Sequence, residues 1–341
     1  MREAAGRRQA VRISDVARAA GVSKTLVSYA LNDRAGVKES TRAHIVATAR
    51  SMGWTPSFRA RALSASRAYT VGLVLRIPAE GHYFTGLLAG LQSVLSTSQY
   101  SLLTEVVDGD EAEEDAYRRL ALGGRVDGLV LTDPRHDDPR FRLVREAGLA
   151  FVSVGRPPEP TTMPVLIHDE SRAIADAVAH LAALGHRRIA QVAGPQTVAA
   201  AGRRRRLYQK VLREHDLDDT SWLEADHTAA AGRAATVKLL DEEPRPTAIV
   251  YANDLMAVAG MSAIHERGLR VPADVSVIGW DDLAVAPHLN PPLSTVGRHP
   301  FEDGRAAARL LLEAIDGQEF AEPVPAADPT FVARDSVARP A

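Results

Sequence analysis

The sequence predicts a mixed α/β protein with a small all-α head and a larger α/β body. Three observations lead to this fold class. Two short helical patterns meet at a glycine near the start, strand and helix patterns alternate from residue 71 onward, and the two parts differ in charge. The chain has 341 residues, more than one domain usually holds, so two or more units are expected.

The charge is divided unevenly along the chain. Residues 1–60 hold 11 Lys and Arg against 4 Asp and Glu, a net charge of +7, whereas the remaining residues hold 30 against 39, a net charge of −9. A basic head on an acidic body indicates a polyanionic partner at the N-terminal part only. By charge alone, a nucleic-acid surface and an ordinary solvated basic face are equally good interpretations.

The composition argues against several classes of protein. There is no cysteine, so disulfides and thiolate chemistry are excluded. No apolar run is long enough for a membrane span, and no signal-peptide pattern is seen. The zinc, EF-hand, nucleotide-binding and nucleophile-elbow motifs are all missing from the sequence. We therefore expect a cytoplasmic protein that is not an enzyme, with no catalytic residues, no metal and no cofactor.

The head is predicted to begin with a short helix. Ser14 can cap the free N–H groups of its first turn, and Asp15 lies near the positive end of the helix. Gly21 can adopt the left-handed conformation that ends a helix. The predicted apolar face consists of Val16, Ala19 and Ala20.

A second helix starts two residues later, with Ser23 as its cap. Two short helices joined by a tight glycine turn form the helix-turn-helix arrangement, whose second helix enters the DNA major groove. A third helix over residues 39–52 ends at Gly53 and has Lys38 where a capping hydroxyl is preferred. The apolar positions of the second and third helices are Leu26, Val27, Ala30, Leu31, Ile45, Val46 and Ala49. The outward side of the second helix carries Lys24, Thr25, Ser28 and Tyr29.

The body alternates buried-type strands with helices. Such alternation predicts parallel sheets covered on both faces, in either one barrel or two lobes. The predicted strands are residues 71–75, 101–107, 128–132, 150–154, 189–193, 248–252 and 275–280. The predicted helices are residues 84–95, 111–122, 172–184, 204–215, 233–240 and 255–268.

Long stretches of the chain resemble the lactose-repressor/galactose-repressor (LacI/GalR) family. In the head these are ISDVARAAGVSKTLVSYALN and VKESTRAHIVATARSMGWTPSFRARAL. In the body they are TVGLV, RVDGLVL, HLAALGHRRIAQVAGP, YANDLMAVAGM, GLRVPADVSVIGWDD, PPLSTVG and PTFVARDS, in family order. The resemblance favours two lobes over a barrel. It implies a two-lobed, type I periplasmic-binding-protein-like core behind the head.

The resemblance also implies a domain plan and partners. A basic tail (1–10), a helix-turn-helix domain (11–55) and a hinge helix with linker (56–69) precede the core (70–341). One lobe holds about 70–167 and 298–324, the other about 168–297 and 325–341. The implied protein is a homodimeric regulator, most readily a repressor, that binds double-stranded, pseudo-palindromic operator DNA. A sugar or nucleobase between the lobes would modulate its affinity. The alternative is an α/β enzyme or solute-binding protein with a fused DNA-binding head.

By resemblance, Lys24, Thr25 and Tyr29 read bases, and Leu63 in the hinge wedges into the minor groove. Tyr29 stands where the family often has Arg, so the operator sequence does not carry over. The other implied DNA-contacting residues are Ser14, Ser23, Ser28, Asn32, Thr41, Arg59 and Arg61.

In the core, Arg204 matches a ligand-clamping arginine and Asp281 a carboxylate that accepts from ligand O–H or N–H groups. Asn253 matches a ligand-facing amide but is equally suited to cap a helix. His227 replaces a stacking aromatic, which indicates either a more polar effector or a surface histidine. Leu207 replaces a family glycine beside Arg204. The remaining implied cleft residues are Phe84, Thr132, Ser153 and His168.

Overall fold

The computed structural model describes residues 11–31, 35–54, 67–77 and 82–340. The chain divides into two compact units between Arg67 and Ala68. The first unit contains helices α1 (Ile13–Ala20), α2 (Lys24–Leu31) and α3 (Glu39–Ser51). Gly21 has a φ of +68° and ends α1 as predicted. The helix-turn-helix arrangement is therefore confirmed.

The start of α1 differs from the prediction. The prediction that Ser14 caps this helix is wrong, because the helix begins at Ile13 and Arg12 occupies the cap position. The carboxylate of Asp15 accepts the Arg12 N–H at 2.9 Å, so an acidic side chain satisfies the first turn. The shift also changes the buried face. Ala17 is buried with Val16 and Ala20, whereas Ala19 is exposed.

The other two helices of the head agree with the prediction within one residue. The Ser23 hydroxyl accepts the Leu26 N–H at 3.2 Å and caps α2. Helix α3 ends at Ser51 before Met52 and Gly53, and the side chain of Lys38 at its cap position makes no capping hydrogen bond to the helix. Val16, Val27 and Ile45, one from each helix, are fully buried in a common core.

The second unit contains two separate parallel sheets, so the barrel alternative is wrong. The first lobe has a six-stranded sheet in the order β11-β5-β4-β3-β1-β2, and the second a four-stranded sheet in the order β7-β6-β8-β9. The strands of the first sheet are β1 (Thr70–Ile77), β2 (Ser101–Asp108), β3 (Gly128–Thr132), β4 (Ala150–Val154), β5 (Val165–Ile167) and β11 (Val324–Pro325). Those of the second are β6 (Ile189–Ala193), β7 (Trp222–Glu224), β8 (Ala248–Tyr251) and β9 (Ser276–Ile278). An antiparallel pair, β10 (Thr295–Gly297) with β12 (Thr330–Val332), completes the set.

Helices cover the sheets. They are α4 (His82–Leu95), α5 (Asp110–Leu122), α6 (Pro139–Glu146), α7 (Ser171–Ala183), α8 (Ala199–Glu214), α9 (Ala229–Leu240), α10 (Asp254–Glu266) and α11 (Pro300–Ile315). Late in the chain, α11 returns to the first lobe and crosses α4 closely. A Cβ on Gly90 would lie 2.0 Å from the Phe301 carbonyl oxygen, so this crossing requires glycine. None of the helices in the described residues has the length and apolarity needed to cross a membrane.

Several elements were missed by the sequence interpretation. Helix α6 has a predominantly polar sequence, yet Asp138 caps it by accepting the Arg140 N–H, and Pro139 occupies its first turn. Helix α11, the short strands β5 and β7, and the strands β10, β11 and β12 were also unassigned. Helix α8 begins at Ala199, five residues before its predicted start, because the small residues there have no clear apolar period. Short segments of two or three residues carry too little pattern to be recognised.

Candidate functional site

The outward face of α2 is the candidate DNA-reading surface. Lys24 and Thr25 are exposed at its first turn, and Tyr29 is 38% exposed one turn later. Ser28 is half-buried. Arg42 of α3 donates to the Ala30 carbonyl at 3.0 Å, which fixes α2 on its neighbour. The head thus presents a short polar helix on a rigid support.

Other predicted DNA contacts have different surroundings. Ser14 and Thr41 are half-buried, and the Ser23 hydroxyl oxygen already accepts a hydrogen bond as a helix cap. Asn32, Arg59, Arg61 and Leu63 lie outside the described residues. Their assignment remains a prediction from the family resemblance.

The core holds a cluster of charged and polar side chains, most of them buried or half-buried, at the carboxyl ends of its strands. Its two central cations are Arg204 on α8 and Arg298, which follows β10 on the segment that leads into α11. Arg298 joins the lobes: its guanidinium lies 3.9 Å from the Tyr83 ring of the first lobe and 3.6 Å from the Asp281 carboxylate of the second. We call these side chains the charged cluster; its members are Tyr83, Asp133, His168, Glu170, Arg204, His227, Asp281, Arg298 and Asp303.

Arg204 is held on three sides. Its Nη2 donates to Oε1 of Glu170 at 2.6 Å, and its Nη1 donates to the Ala252 carbonyl at 3.4 Å. Its guanidinium lies 3.8 Å from the centre of the buried Trp280 ring. Glu170 is only 5% exposed. Burial opposes the ionisation of Glu170, but the charge and hydrogen bond of Arg204 outweigh it and hold the pKa below its ordinary value.

Asp281 lies in an unusual backbone conformation after β9. Its φ is +113°, and its N–H donates to the Val296 carbonyl at 2.8 Å. Burial raises the pKa of Asp281 to about 7, although Arg298 acts in the opposite direction. Near neutral pH this carboxyl can therefore accept or donate a hydrogen bond.

The first-lobe side of the cluster is a hydrogen-bonded chain. Asp303 on α11 is 1% exposed; it contacts Nε2 of His168 at 2.9 Å and accepts from the Tyr83 hydroxyl at 3.4 Å. Burial raises the pKa of Tyr83 above its ordinary value, so the phenol remains a donor. His168 was predicted from the sequence. Tyr83 and Asp303 were missed, because their roles depend on the crossing of α4 and α11.

Three predicted cleft residues make hydrogen bonds within the fold, Asn253 and Ser153 through their side chains and Thr132 through its backbone carbonyl. Asn253 caps α10: its Oδ1 accepts the Met256 N–H and its Nδ2 donates to the His227 carbonyl, both at 2.8 Å. Ser153 is fully buried and donates to the Gly155 carbonyl at 2.7 Å. The carbonyl of the buried Thr132 accepts from Nη2 of Arg140 at 3.0 Å.

Two of the predicted cleft residues with rings, Phe84 and His227, lie on opposite lobes. Phe84 is half-buried and meets the Tyr83 ring edge-on, with the ring centres 5.7 Å apart. His227 has a φ of +72° and lies against Gly194, where a Cβ would come within 2.5 Å of its Cε1. Burial lowers the pKa of His227, which favours a neutral ring.

Glu170 and Arg298 are the main residues that the sequence interpretation missed. Arg298 directly follows the family motif PPLSTVG, which could have drawn attention to it. Glu170 precedes α7 among exposed-type residues, and nothing in the sequence indicates its burial.

Comparison with known proteins agrees with both parts of the chain. Residues 12–57 match the model for bacterial regulatory proteins of the lacI family, and residues 178–337 match the periplasmic binding protein-like domain. The HTH-type transcriptional regulator CelR of Thermobifida fusca is 35% identical over 328 residues, covering 93% of this chain and 95% of that protein. The HTH-type transcriptional repressor PurR of Vibrio atlanticus is 30% identical, covering 95% and 98%.

Solved structures give the same result. The complex of the transcriptional regulator CelR with cellobiose has a TM-score of 0.73 at 31% identity and covers 96% of this chain and 99% of that one. The lac repressor dimer bound to operator and the anti-inducer ONPF has a TM-score of 0.81 at 29% identity, covering 97% and 100%.

A helix-turn-helix head and a two-lobed α/β core with a charged cluster at its strand ends define a DNA-binding transcriptional regulator. The chain belongs to the lacI family of bacterial regulatory proteins. The relatives named above are regulators of transcription and not enzymes.

Proposed function

We propose that this protein is a cytoplasmic repressor that binds a pseudo-palindromic operator as a homodimer and senses a small effector between its lobes. The observation that carries the proposal is the charged cluster. Buried arginines and carboxylates that reach from both lobes to one place are costly unless they serve binding or tightly paired structure. The cellobiose complex of the relative CelR supports a sugar as one effector class; a nucleobase is the other.

The proposal assigns roles along the chain. Lys24, Thr25 and Tyr29 read bases, and the hinge, residues 56–69, inserts Leu63 into the minor groove between two DNA-bound heads. In the core, Arg204 and Asp281 bind the effector. Phe84, His168 and His227 surround it, whereas Thr132, Ser153 and Asn253 shape the cleft mainly through the hydrogen bonds that they make within the fold.

The proposal can be tested with the full-length protein and operator DNA found by footprinting. We expect a symmetric footprint, and we expect one compound among cellobiose, glucose and hypoxanthine to change the operator affinity. Arg204→Ala should keep operator binding and lose that response. An asymmetric footprint with equal affinity for scrambled DNA would contradict the regulator assignment, and an unchanged response in Arg204→Ala would contradict the assignment of the cleft.

A further inference from the structure

The buried ion pair between Glu170 and Arg204 limits which ligands the cleft can accept. Glu170 precedes α7 and Arg204 lies on α8, and both side chains are at most 10% exposed. Nη2 of Arg204 is bound to Glu170 and Nη1 to the carbonyl of Ala252. Each terminal nitrogen of the arginine that the family resemblance assigns to the ligand therefore makes one hydrogen bond within the protein, while its Nε has no hydrogen-bond partner among the described residues.

This arrangement matters most for an anionic ligand. Arginine recognises a carboxylate or phosphate through two parallel N–H donors on one edge of the guanidinium. A ligand anion that pairs with this guanidinium either displaces Glu170, which would leave a buried carboxylate without its partner, or lies beside it as a second negative charge. A neutral hydroxyl or amide needs only one donor and can bind beside the existing pair.

The other members of the charged cluster also disfavour an anionic ligand. Arg298, the second cation of the cluster, is half-buried; it already faces Asp281 at 3.6 Å, and its charge also interacts with those of Glu170 and Asp303. Asp133 contributes a further, exposed carboxylate near Tyr83 and His227. Three carboxyl groups, those of Glu170, Asp281 and Asp303, thus lie around the two guanidinium groups, and like charges placed together in a binding site exclude the wrong partner.

Glu170 also keeps one acceptor available. Its Oε2 is buried and accepts no hydrogen bond from the described residues, and the Arg203 guanidinium approaches it only to 3.8 Å. An unsatisfied carboxylate oxygen is suited to an O–H or N–H donor and unsuited to another anion.

We propose that Glu170 is a specificity-determining residue that restricts the cleft to uncharged, hydrogen-bond-donating effectors and excludes sugar acids and sugar phosphates. This inference rests on the proposed role of the cleft as the effector site. Asp281 and Arg204 alone do not provide such a selection, because each can contact charged and neutral ligands alike. The preference for uncharged effectors comes from Glu170, because its carboxylate is paired with Arg204 before any ligand binds.

The test is calorimetric titration of the full-length protein with matched probes. Cellobiose and glucose are the neutral probes; glucuronate and glucose 6-phosphate are the anionic ones. The key variant is Glu170→Gln, which keeps the size of the side chain and removes its charge. The matched control is Asp169→Asn, which makes the same charge change at the neighbouring exposed carboxylate of the same helix start.

We expect wild-type protein to bind an anionic probe about tenfold or more weakly than its neutral counterpart. Glu170→Gln should strengthen anion binding by about tenfold or more and change neutral binding by less than about threefold. Asp169→Asn should change neither. When the neutral probes bind, anion binding that is the same in wild type and Glu170→Gln, whether measurable or absent, would overturn the proposal, and so would an equal gain in Asp169→Asn.

Two further results keep the outcome decisive. If Glu170→Gln does not fold, the wild type alone suffices, because glucuronate or glucose 6-phosphate binding as tightly as glucose would overturn the proposal. Failure of the effector-site proposal itself looks different. In that case no probe binds, and no probe changes the operator affinity of wild type or Arg204→Ala.

Discussion

Two carboxyl groups of the charged cluster have pKa values that are shifted in opposite directions. Glu170 is buried against Arg204 and stays ionised, whereas Asp281 is buried with a weaker contact to Arg298, 3.6 Å away. The pKa of Glu170 is consequently lowered and that of Asp281 is raised to about 7. Two carboxyl groups in one cleft thus have different chemistry, and the partner at hydrogen-bond distance explains the difference.

The raised pKa of Asp281 predicts a specific pH dependence of stability. Between about pH 4, its unfolded pKa, and about pH 7, the folded state holds a proton that the unfolded state has lost. This contribution to the free energy of unfolding therefore decreases as the pH rises through that window. Asp281→Asn removes this titration. The free energy of unfolding of the variant, relative to that of the wild type, should therefore rise by roughly 2–4 kcal/mol between about pH 4 and about pH 7.

Urea unfolding of both proteins at several pH values would measure this difference. A difference that stays constant with pH, or that moves against the variant as the pH rises, would contradict the prediction.

Helix ends show how much of the head is determined locally. Ser23 caps α2 and Asp15 satisfies the start of α1, but Lys38 leaves the start of α3 without a side-chain cap. A missing hydroxyl or carboxylate cap typically costs about 1 kcal/mol. Helix α3 is stabilised instead by Ile45 and Ala49, which are buried against α1 and α2.

Supplying the missing cap should stabilise the head. We expect Lys38→Ser to raise its free energy of unfolding by about 1 kcal/mol, because the new hydroxyl can accept an N–H of the first turn of α3. Lys38→Ala is the matched control, since it removes the same charge without adding a cap. Thermal or urea unfolding followed at the helical signal of the head measures both, and equal stability of the two variants would contradict the cap assignment.

Two loops connect the lobes through their backbones at the edge of the cleft. The N–H of Ala199 donates to the Pro134 carbonyl at 2.9 Å, and that of His136 to the Thr197 carbonyl at 3.4 Å. Arg135 and Val198 lie between these bonds as an antiparallel pair. They are a non-hydrogen-bonded pair, in which the Cα atoms are about 4.5 Å apart.

This geometry predicts a disulfide that links the lobes. The pair falls within the Cα separation that disulfides require, and the chain has no other cysteine to compete. We expect Arg135→Cys with Val198→Cys to form one intramolecular bond on oxidation and to raise the melting temperature relative to the reduced form. Mass spectrometry and thiol titration measure bond formation. Free thiols or intermolecular dimers after oxidation would contradict the pairing, and either single variant is the control.

At the scale of the whole molecule, the chain passes repeatedly between the lobes. After the second lobe, α11 and β11 return to the first, and residues from β12 onward return to the second, where Ser336 accepts the Ser294 N–H at 2.8 Å. Arg298 lies on one of these crossing segments and contacts both lobes. A change in the angle between the lobes must therefore alter the charged cluster, which is the physical requirement for an effector to bias the conformation.

The link between the core and DNA is predicted to depend on the hinge. Leu63→Ala should weaken binding to the operator by about 1 kcal/mol or more and leave non-specific binding nearly unchanged, because the wedge unstacks a base step only where two heads meet. Titrations with operator and with scrambled duplex at one salt concentration measure both affinities. Equal losses on the two DNAs would contradict the wedge role. The control is Leu122→Ala, which changes an exposed leucine at the end of α5, far along the chain from the hinge.

The sequence by itself determined the helix-turn-helix, the order of most strands and helices, and the family. These features depend on local causes, namely caps at Ser23 and Gly21, apolar periodicity and long contiguous motifs. It also identified Arg204, Asp281 and His168, because they lie in or near such motifs. Ser14 was placed wrongly as a cap because Asp15 competes for the same helix start.

Only the tertiary structure decided the strand order of the two sheets, the close crossing of α4 and α11, and the part that Glu170, Arg298 and Asp303 take in the charged cluster. Glu170 lies 34 residues before Arg204, and Tyr83 lies 220 residues before Asp303, so no local pattern relates them. Burial converts these ordinary surface-type residues into strongly interacting charges. The resulting selection against anionic effectors is a property of that packing, because a carboxylate can occupy an arginine only after folding has removed both from water.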